Sequence, residues 1–455
     1  MPILPIDTGR YGTPEMKNIF DEETRIQKLL NVEAALAWAH AEIGNIPREA
    51  AEKISSLATT EYVRLDRVKE IEKEIKHDLA ALVRALAEVC GQSGSYVHFG
   101  ATSYDIVDTA WALQMKEALE LVENRLNGLE KILMTRSSHH KETLMMGRTH
   151  GQHALPITLG FKFAVWMREV SRHIQRIKEG RSRIIAGKMT GAVGVQAGFG
   201  PQATKIQRLV MKRLGIDAAD VSTQIVQRDR HAELICLFAL IGSSLENFAT
   251  EVRQLQRPEI GELFESFDAE KRVGSSTMPH KKDPETCETV CGLSRILRSL
   301  VIPALENVVT WHERDMTQSS AERFIIPEAF ILVDHMLLSM CNVITNLMID
   351  EKRMLKNMGL TQGHSMSEAV MIKLTRKGMS RQEAHELLRR LSTRCEERDR
   401  SFKEILIQDQ SIGQWLSERE IDEALDPRNY VGTALEQVEL LIAKTTEERR
   451  ERGVN

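Results

Sequence analysis

An all-α chain built on long helices is predicted, and three observations predict it. Pro numbers 12 and Gly 27 among 455 residues, below the roughly 5 % and 7 % of average usage, so helix breakers are scarce. Aromatic residues are only 5 % while Met reaches 19, and Leu, Ala, Glu, Lys and Arg, all good helix formers, are abundant. Apolar residues also recur at steps of three and four over long stretches. A strand-rich sandwich or barrel is disfavoured by the same composition.

The elements follow in order. A first helix is expected over about 21–43, and a second apolar-periodic stretch over 66–90 ends at Gly91. GQSGSYVHFG (91–100) is rich in Gly and Ser, a candidate boundary closing a small N-terminal domain at 1–95. Thr102 can cap the next helix, with Asp105 as the returning partner. Val107, Trp111, Met115, Ala118, Val122, Leu126, Leu129 and Leu133 then form one continuous stripe. A long helix near 161–179 is expected to stop at Gly180, acting as its C-terminal glycine. Another over 231–257 carries Leu234, Phe238, Ile241, Leu245, Phe248 and Val252 and halts before Pro258. Helical patterns at 285–309 and 327–348 complete a central bundle domain, 96–345, because stripes of this length must pack side by side. Shorter charged helices (380–393, 418–425, 432–444) suggest a third domain at 346–455, with the tail TTEERRERGVN frayed.

Charge and cysteine usage narrow the class. The net charge of −4 and pI of 6.4 give no electrostatic footprint for nucleic acid or an anionic membrane. No stretch without Asp, Glu, Lys or Arg is longer than 189–204, which has 16 residues, short of the roughly 20 apolar residues of a bilayer span. MPILPIDTGRYGTPEM lacks the basic and apolar regions of a secretory signal. The cysteines at 90, 236, 287, 291, 341 and 395 are scattered without a CxxC, the pattern of a reduced cytoplasmic enzyme or scaffold.

Four segments between the helices hold more His, Ser, Arg and Lys than a bundle needs. GSSTMPHKKDP (274–284) offers the hydroxyls of Ser275, Ser276 and Thr277 and the cations Lys281 and Lys282, which suits an anionic substrate or a solvated basic turn. GRTHGQHALP (147–156) places His150 and His153 before a helix, where an imidazole can move protons near neutral pH. A structural histidine pair is the alternative, and a metal site with His139 and His140 lacks a carboxylate in the stretch and any HExxH. HFGATSYDIVDTA (98–110) offers Thr102 and Ser103 as helix caps, a role compatible with binding an anion through free amides. WHERDMTQSSAER (311–323) combines Arg314 and Arg323 with Ser319 and Ser320, matched to phosphate or carboxylate, or to a salt-bridged helix end.

In this order the four segments resemble the fumarase/aspartase superfamily, whose signature GSSxxPxKxN is approached by GSSTMPHKKDP. RYGTPEM (10–16), KHD (76–78), TQIVQRDRH (223–231) and the WHERD…SSAER block make the likeness nearest to the adenylosuccinate lyase family, over about residues 10–395. The resemblance implies a homotetramer, a central helical bundle shared among subunits, active sites built from three subunits, and no metal or organic cofactor. It implies a non-hydrolytic β-elimination that releases fumarate from a small succinyl-nucleotide substrate. By the same likeness Ser275 is the general base and His150 the general acid. Ser276, Lys281, Thr102 and Ser103 hold the succinyl carboxylates, His77 with its neighbours Lys76 and Asp78 helps hold the substrate, and Gln224 is a substrate-binding glutamine. Arg10, Tyr11, Arg314, Ser319 and Arg323 match phosphate contacts.

Asp283 stands where the signature has Asn, from which altered loop support is expected rather than loss of activity. Tyr104, next to Thr102 and Ser103, varies among members and suggests nothing by itself. 3-Carboxy-cis,cis-muconate cycloisomerase has a similar signature loop, but Arg10–Tyr11 and Arg314…Arg323 argue against it and against argininosuccinate lyase. A catalytically silent helical scaffold is opposed by the joint presence of Ser275, His150 and Lys281.

Overall fold

The computed structural model describes residues 3–266, 277–278, 280–398 and 400–454, without side chains for 394–398. Ser275 and Ser276 therefore lie outside the described residues. Contacts divide the chain into two compact units. The first holds Met1–Leu126, His173–Leu245 and Gly292–Leu338, and the second holds Asn127–Arg172, Glu246–Cys291 and Ser339–Asn455.

The expected helices form, several with different limits. Helix α1 (Glu22–Glu42) starts on Asp21, whose carboxylate accepts the Thr24 N–H. The stretch 66–90 is two helices, not one: α2 (Leu65–Ile75) ends on Lys76 in the left-handed region, φ 57°, and α3 (Asp78–Cys90) starts on His77. Neither Gly nor Pro marks that break. Helix α4 (Ser103–His139) carries the predicted stripe, buried from Trp111 through Leu133. It also buries Asp105, Asp108, Gln114 and Glu130, so much of the helix is enclosed.

The region before the next helix is not a plain loop. Strands β1 (Leu144–Thr149) and β2 (Gln152–Thr158) pair as an antiparallel hairpin, and α5 (Leu159–Ile184) follows. Gly180 lies inside α5 and does not end it. Helix α6 (Asp229–Gln256) halts as expected before Pro258. The pattern at 285–309 is two helices, α7 (Glu285–Ser299) and α8 (Val301–Glu306).

Helix α9 (Thr317–Thr345) begins ten residues before the expected start, with Pro327 in its interior. By length and composition α6 and α9 suit a bilayer, yet 61 % of each apolar window is buried in protein, as in core helices.

In the second unit, α10 (Ser367–Arg376), α11 (Arg381–Arg398), α12 (Phe402–Gln408) and α13 (Glu418–Leu425) share a small core of Leu374, Leu388, Phe402 and Leu406. The tail is not frayed. Helix α14 (Ala434–Glu451) runs through it, Thr445 and Arg449 are buried, and Arg449 and Arg452 both bind the buried Glu130 carboxylate. A polar sequence here is a docked helix because its cations meet a buried anion.

Candidate active site

In the first unit a cleft of about 330 Å³ forms between the N-termini of three helices. Lys76, His77 and Asp78 enter it from the α2–α3 break, Ser103 and Tyr104 from the start of α4, and Arg314, Ser319 and Arg323 from the approach to α9 and its first turns. Free amides and aligned peptide dipoles make such ends favourable to anions.

Beneath it lies a network of buried charge. Arg228 is 2 % exposed and binds Asp108 bidentately, both contacts at 2.9 Å, and Glu322 at 2.5 and 3.1 Å. Burial pushes the Glu322 pKa up, but the Arg228 charge and His231 outweigh it and hold it below the ordinary value. Asp105, fully buried, pairs with Lys188 at 2.5 Å and accepts N–H bonds from Thr102, Thr190 and Gly191. The expected return of Asp105 to Thr102 is therefore made, and the same carboxylate also ties in the 188–191 strand of chain.

His77 caps α3: its Nδ1 accepts the Ala80 N–H at 3.2 Å. The ring proton therefore sits on Nε2, which is left as a donor. Arg323 donates to Asp78 at 2.9 Å, with Arg25 at 3.7 Å from the same oxygen. Burial opposes the Asp78 charge, yet the Leu79 N–H and these two cations hold its pKa low.

Arg314 is placed differently. Its guanidinium carbon lies 3.6 Å from the Tyr104 ring centroid, Nη1 donates to Gln224 Oε1 at 2.9 Å, and Nε is buried without a partner. Among the described residues no carboxylate lies within 4.0 Å of it. The Tyr104 hydroxyl donates to Ser319 Oγ at 2.7 Å. Arg10 and Tyr11 do not line this cleft; the Tyr11 ring packs 5.5 Å from His335.

In the second unit His150 and Gly151 form the two-residue turn of the β-hairpin, between paired Thr149 and Gln152. Both have positive φ, 52° and 74°, the requirement of a type I′ turn. The turn is exposed, so His150 projects at a tip. Its base is fixed: Arg148 forks onto the fully buried Glu262 at 2.9 and 2.5 Å, and Asn357 donates to Glu262 at 2.7 Å. His153 faces Arg148 across the hairpin, and burial, then the Arg148 charge, lower its pKa.

Lys281, half exposed, pairs with Asp283 at 3.1 Å. The residue that departs from the signature is thus a direct counter-ion of the signature lysine. Close by, Glu265 accepts the Thr286 and Cys287 N–H groups at the start of α7, and Gln256 links the Glu265 N–H to the Lys282 carbonyl. Among the described residues no cluster of three or more His, Cys, Asp or Glu side chains is arranged for a metal.

Sequence reasoning missed Tyr104 and the Arg228–Asp108–Glu322 network. The available signal was two aspartates, 105 and 108, at the start of an otherwise apolar stripe.

Residues 9–297 match the Lyase family, and residues 363–441 match the family described as adenylosuccinate lyase C-terminus. The chain is 51 % identical over 454 residues to an adenylosuccinate lyase of Pyrococcus horikoshii, covering 100 % of both chains. It is 47 % identical over 443 residues to one of Methanocaldococcus jannaschii, covering 97 % of this chain and 96 % of the other. Among solved structures, the 3-carboxy-cis,cis-muconate lactonizing enzyme of Pseudomonas putida superposes with a TM-score of 0.89 at 30 % identity, over 98 % of this chain and 99 % of that one. Backbone likeness thus extends to an enzyme of a second name, while the identities of 47 % and 51 % are both to adenylosuccinate lyases. The chain belongs to the adenylosuccinate lyase family of the fumarase/aspartase superfamily.

Proposed function

We propose that the chain is the lyase that cleaves the C–N bond of adenylosuccinate to AMP and fumarate in purine nucleotide biosynthesis. The same step on succinylated aminoimidazole carboxamide ribotide gives the free amide and fumarate. The observation that carries this reading is the Arg314 guanidinium, with no carboxylate within 4.0 Å among the described residues, beside Ser319 and Arg323 in a cleft at helix N-termini. A guanidinium with adjoining hydroxyl donors suits a phosphate monoester.

Ser275 takes a proton from the succinyl carbon β to the departing nitrogen. The electron pair left there forms the new C=C bond as the C–N bond breaks, and His150 delivers a proton to the nitrogen. One proton is removed and one supplied, so no oxidant, metal or organic cofactor is required. Negative charge spreads onto a succinyl carboxylate on the way, where Ser276, Lys281, Thr102 and Ser103 stabilise it. Lys76, His77, Asp78 and Gln224 hold the substrate, with the His77 Nε2–H as a donor. Arg314, Ser319 and Arg323 take the phosphate, joined by Arg10 and Tyr11 of a neighbouring subunit, since those two do not line the cleft of their own chain.

The working form is a cytoplasmic homotetramer with active sites shared among three subunits and segments 1–95, 96–345 and 346–455 as its domains. Exposed apolar side chains support association: Ile302 is 64 %, Val309 74 %, Trp311 78 % and Phe324 65 % exposed in the single chain. The backbone likeness to the muconate enzyme favours cycloisomerase chemistry as a second reading, but carboxymuconate carries no phosphate for Arg314 to bind.

The test offers purified protein adenylosuccinate, argininosuccinate and carboxymuconate. AMP and fumarate in equal amounts from the first alone are expected. No AMP at high enzyme concentration, or lactone from carboxymuconate, overturns the reading.

A further inference from the structure

We propose that Tyr104 is a positioning residue that sets the affinity of the cleft for the phosphate end of its substrate, by holding Arg314 and Ser319 in their binding orientations. The proposal rests on the phosphate reading of the cleft given above. Tyr104 is 6 % exposed in the first turn of α4, and Ser319 stands in the first turn of α9. Their hydrogen bond of 2.7 Å joins two helix N-termini at one point.

The direction of that bond matters. The phenol donates and Ser319 Oγ accepts, so the serine proton is directed to another acceptor. In a cleft rich in cations, that acceptor is an anionic oxygen. The ring does the second task. With the guanidinium carbon 3.6 Å from its centroid, the flat face of Arg314 is covered, leaving the in-plane N–H edges to make bonds. One edge is held by Gln224, itself fixed by donation to the Ala192 carbonyl at 2.8 Å. Nε is buried without a hydrogen-bond partner among the described residues, so the remaining in-plane Nη edges are the ones left to reach a ligand.

The contrast with Arg228 supports the assignment. That guanidinium lies 6.0 Å from the same ring, but its charge is matched by Asp108 and Glu322. Arg314 has a ring and a neutral amide in place of carboxylates. An aromatic face restrains a cation without pairing off its charge, so Arg314 keeps more of it for the ligand than Arg228 does.

The experiment compares Tyr104→Phe, Tyr104→Leu and Arg314→Gln with the parent, each checked for folding by its thermal midpoint. AMP affinity by calorimetry, KM and kcat for adenylosuccinate, and inhibition by succinate are measured. Tyr104→Phe keeps the ring and loses the Ser319 bond, so AMP affinity and KM weaken about 3- to 10-fold, in the range of one hydrogen bond. Tyr104→Leu also loses the cation–π contact, and the weakening grows to roughly 10- to 100-fold. In both, kcat falls far less than KM rises and succinate inhibition is unmoved, which a general loss of structure would not produce. Should Arg314→Gln weaken AMP while both Tyr104 variants bind it like the parent, the Tyr104 role is overturned and the phosphate reading stands. Parent-like AMP affinity in Arg314→Gln overturns both. If Tyr104→Leu does not fold, Tyr104→Phe alone decides, with parent-like affinity overturning the proposal.

Discussion

The two units carry their functional groups on opposite plans. In the first, Arg228, Asp108 and Glu322 bury three charges beneath a cleft whose walls are helix ends, and Tyr104, Gln224 and Ser319 are already bonded to one another or to Arg314. In the second, His150 stands on an exposed two-residue turn and Lys281 is half exposed with Asp283 as its partner. Rigidity is placed at the base of the hairpin, in Arg148–Glu262–Asn357, rather than at its tip. Under the proposed function, the two plans suit two different tasks. Recognition of a fixed anion gains from a pre-bonded cleft, since little ordering remains to be done on binding. Proton transfer needs a dry surrounding, which a tip exposed in the single chain lacks, and the proposed association of subunits would supply it.

The largest effect is expected from removing chemistry while leaving recognition intact. Ser275→Ala is expected to bind substrate normally and lose about 10²- to 10⁴-fold in turnover, the usual range of general acid–base catalysis; near-normal rates in a stopped-flow assay would remove Ser275 as base. Next comes the buried network. Arg228→Leu strands Asp108 and Glu322 without their cation and should cost about 3–5 kcal/mol of stability. Denaturant unfolding showing less than about 1 kcal/mol would mean the cleft does not depend on that charge.

A smaller effect concerns Asp283. Asp283→Asn frees Lys281 from an exposed ion pair, which is worth no more than about 1 kcal/mol. KM should fall by roughly 2- to 5-fold, with the change fading at high salt. An unchanged or raised KM would show that Asp283 does not compete with substrate for the lysine.

The smallest effect expected lies in the first unit. His98 Nδ1 lies 2.6 Å from the buried Glu33 carboxylate. Burial disfavours the imidazolium, but Glu33 and then Asp105 outweigh it and raise the His98 pKa above 6.5. The stabilisation is therefore full below pH 6.5 and is lost as pH rises through the folded-state value. Melting temperature should decline over that window in the parent, and the decline should be shallower in Glu33→Gln; equal slopes would assign it to other groups.

Much of the architecture was legible because burial writes period 3.6 into a helix: the stripe residues Leu234, Phe238, Ile241, Leu245, Phe248 and Val252, and Trp111, Met115, Ala118, Val122, Leu126, Leu129 and Leu133, all lie in the core. Breaks made without Gly or Pro were not. Lys76 ends α2 in a left-handed conformation that nothing in IEKEIKHDL announces, and Gly180, a plausible stop, is enclosed by its helix. The His150–Gly151 turn was hidden because its flanking strands do not alternate cleanly. The docked tail was missed because a cationic helix reads as solvated until its anion, Glu130, is found more than 300 residues away. Arg314, Ser319 and Arg323 announced themselves by chemistry, and the cleft brings them together. Tyr104 did not, since a ring at the head of an apolar stripe looks like core. Arg10 and Tyr11 lie outside the cleft lining of this chain.

The division of labour is tested most directly by titrating AMP into His150→Asn and Arg314→Gln while following adenylosuccinate cleavage in a single turnover. Asn tolerates the left-handed turn conformation, so the first variant removes the imidazole and keeps the hairpin. The account predicts parent-like AMP affinity with at least a hundredfold slower cleavage in His150→Asn, and weakened AMP affinity in Arg314→Gln. Loss of AMP binding in His150→Asn, or undiminished cleavage by it, would contradict it.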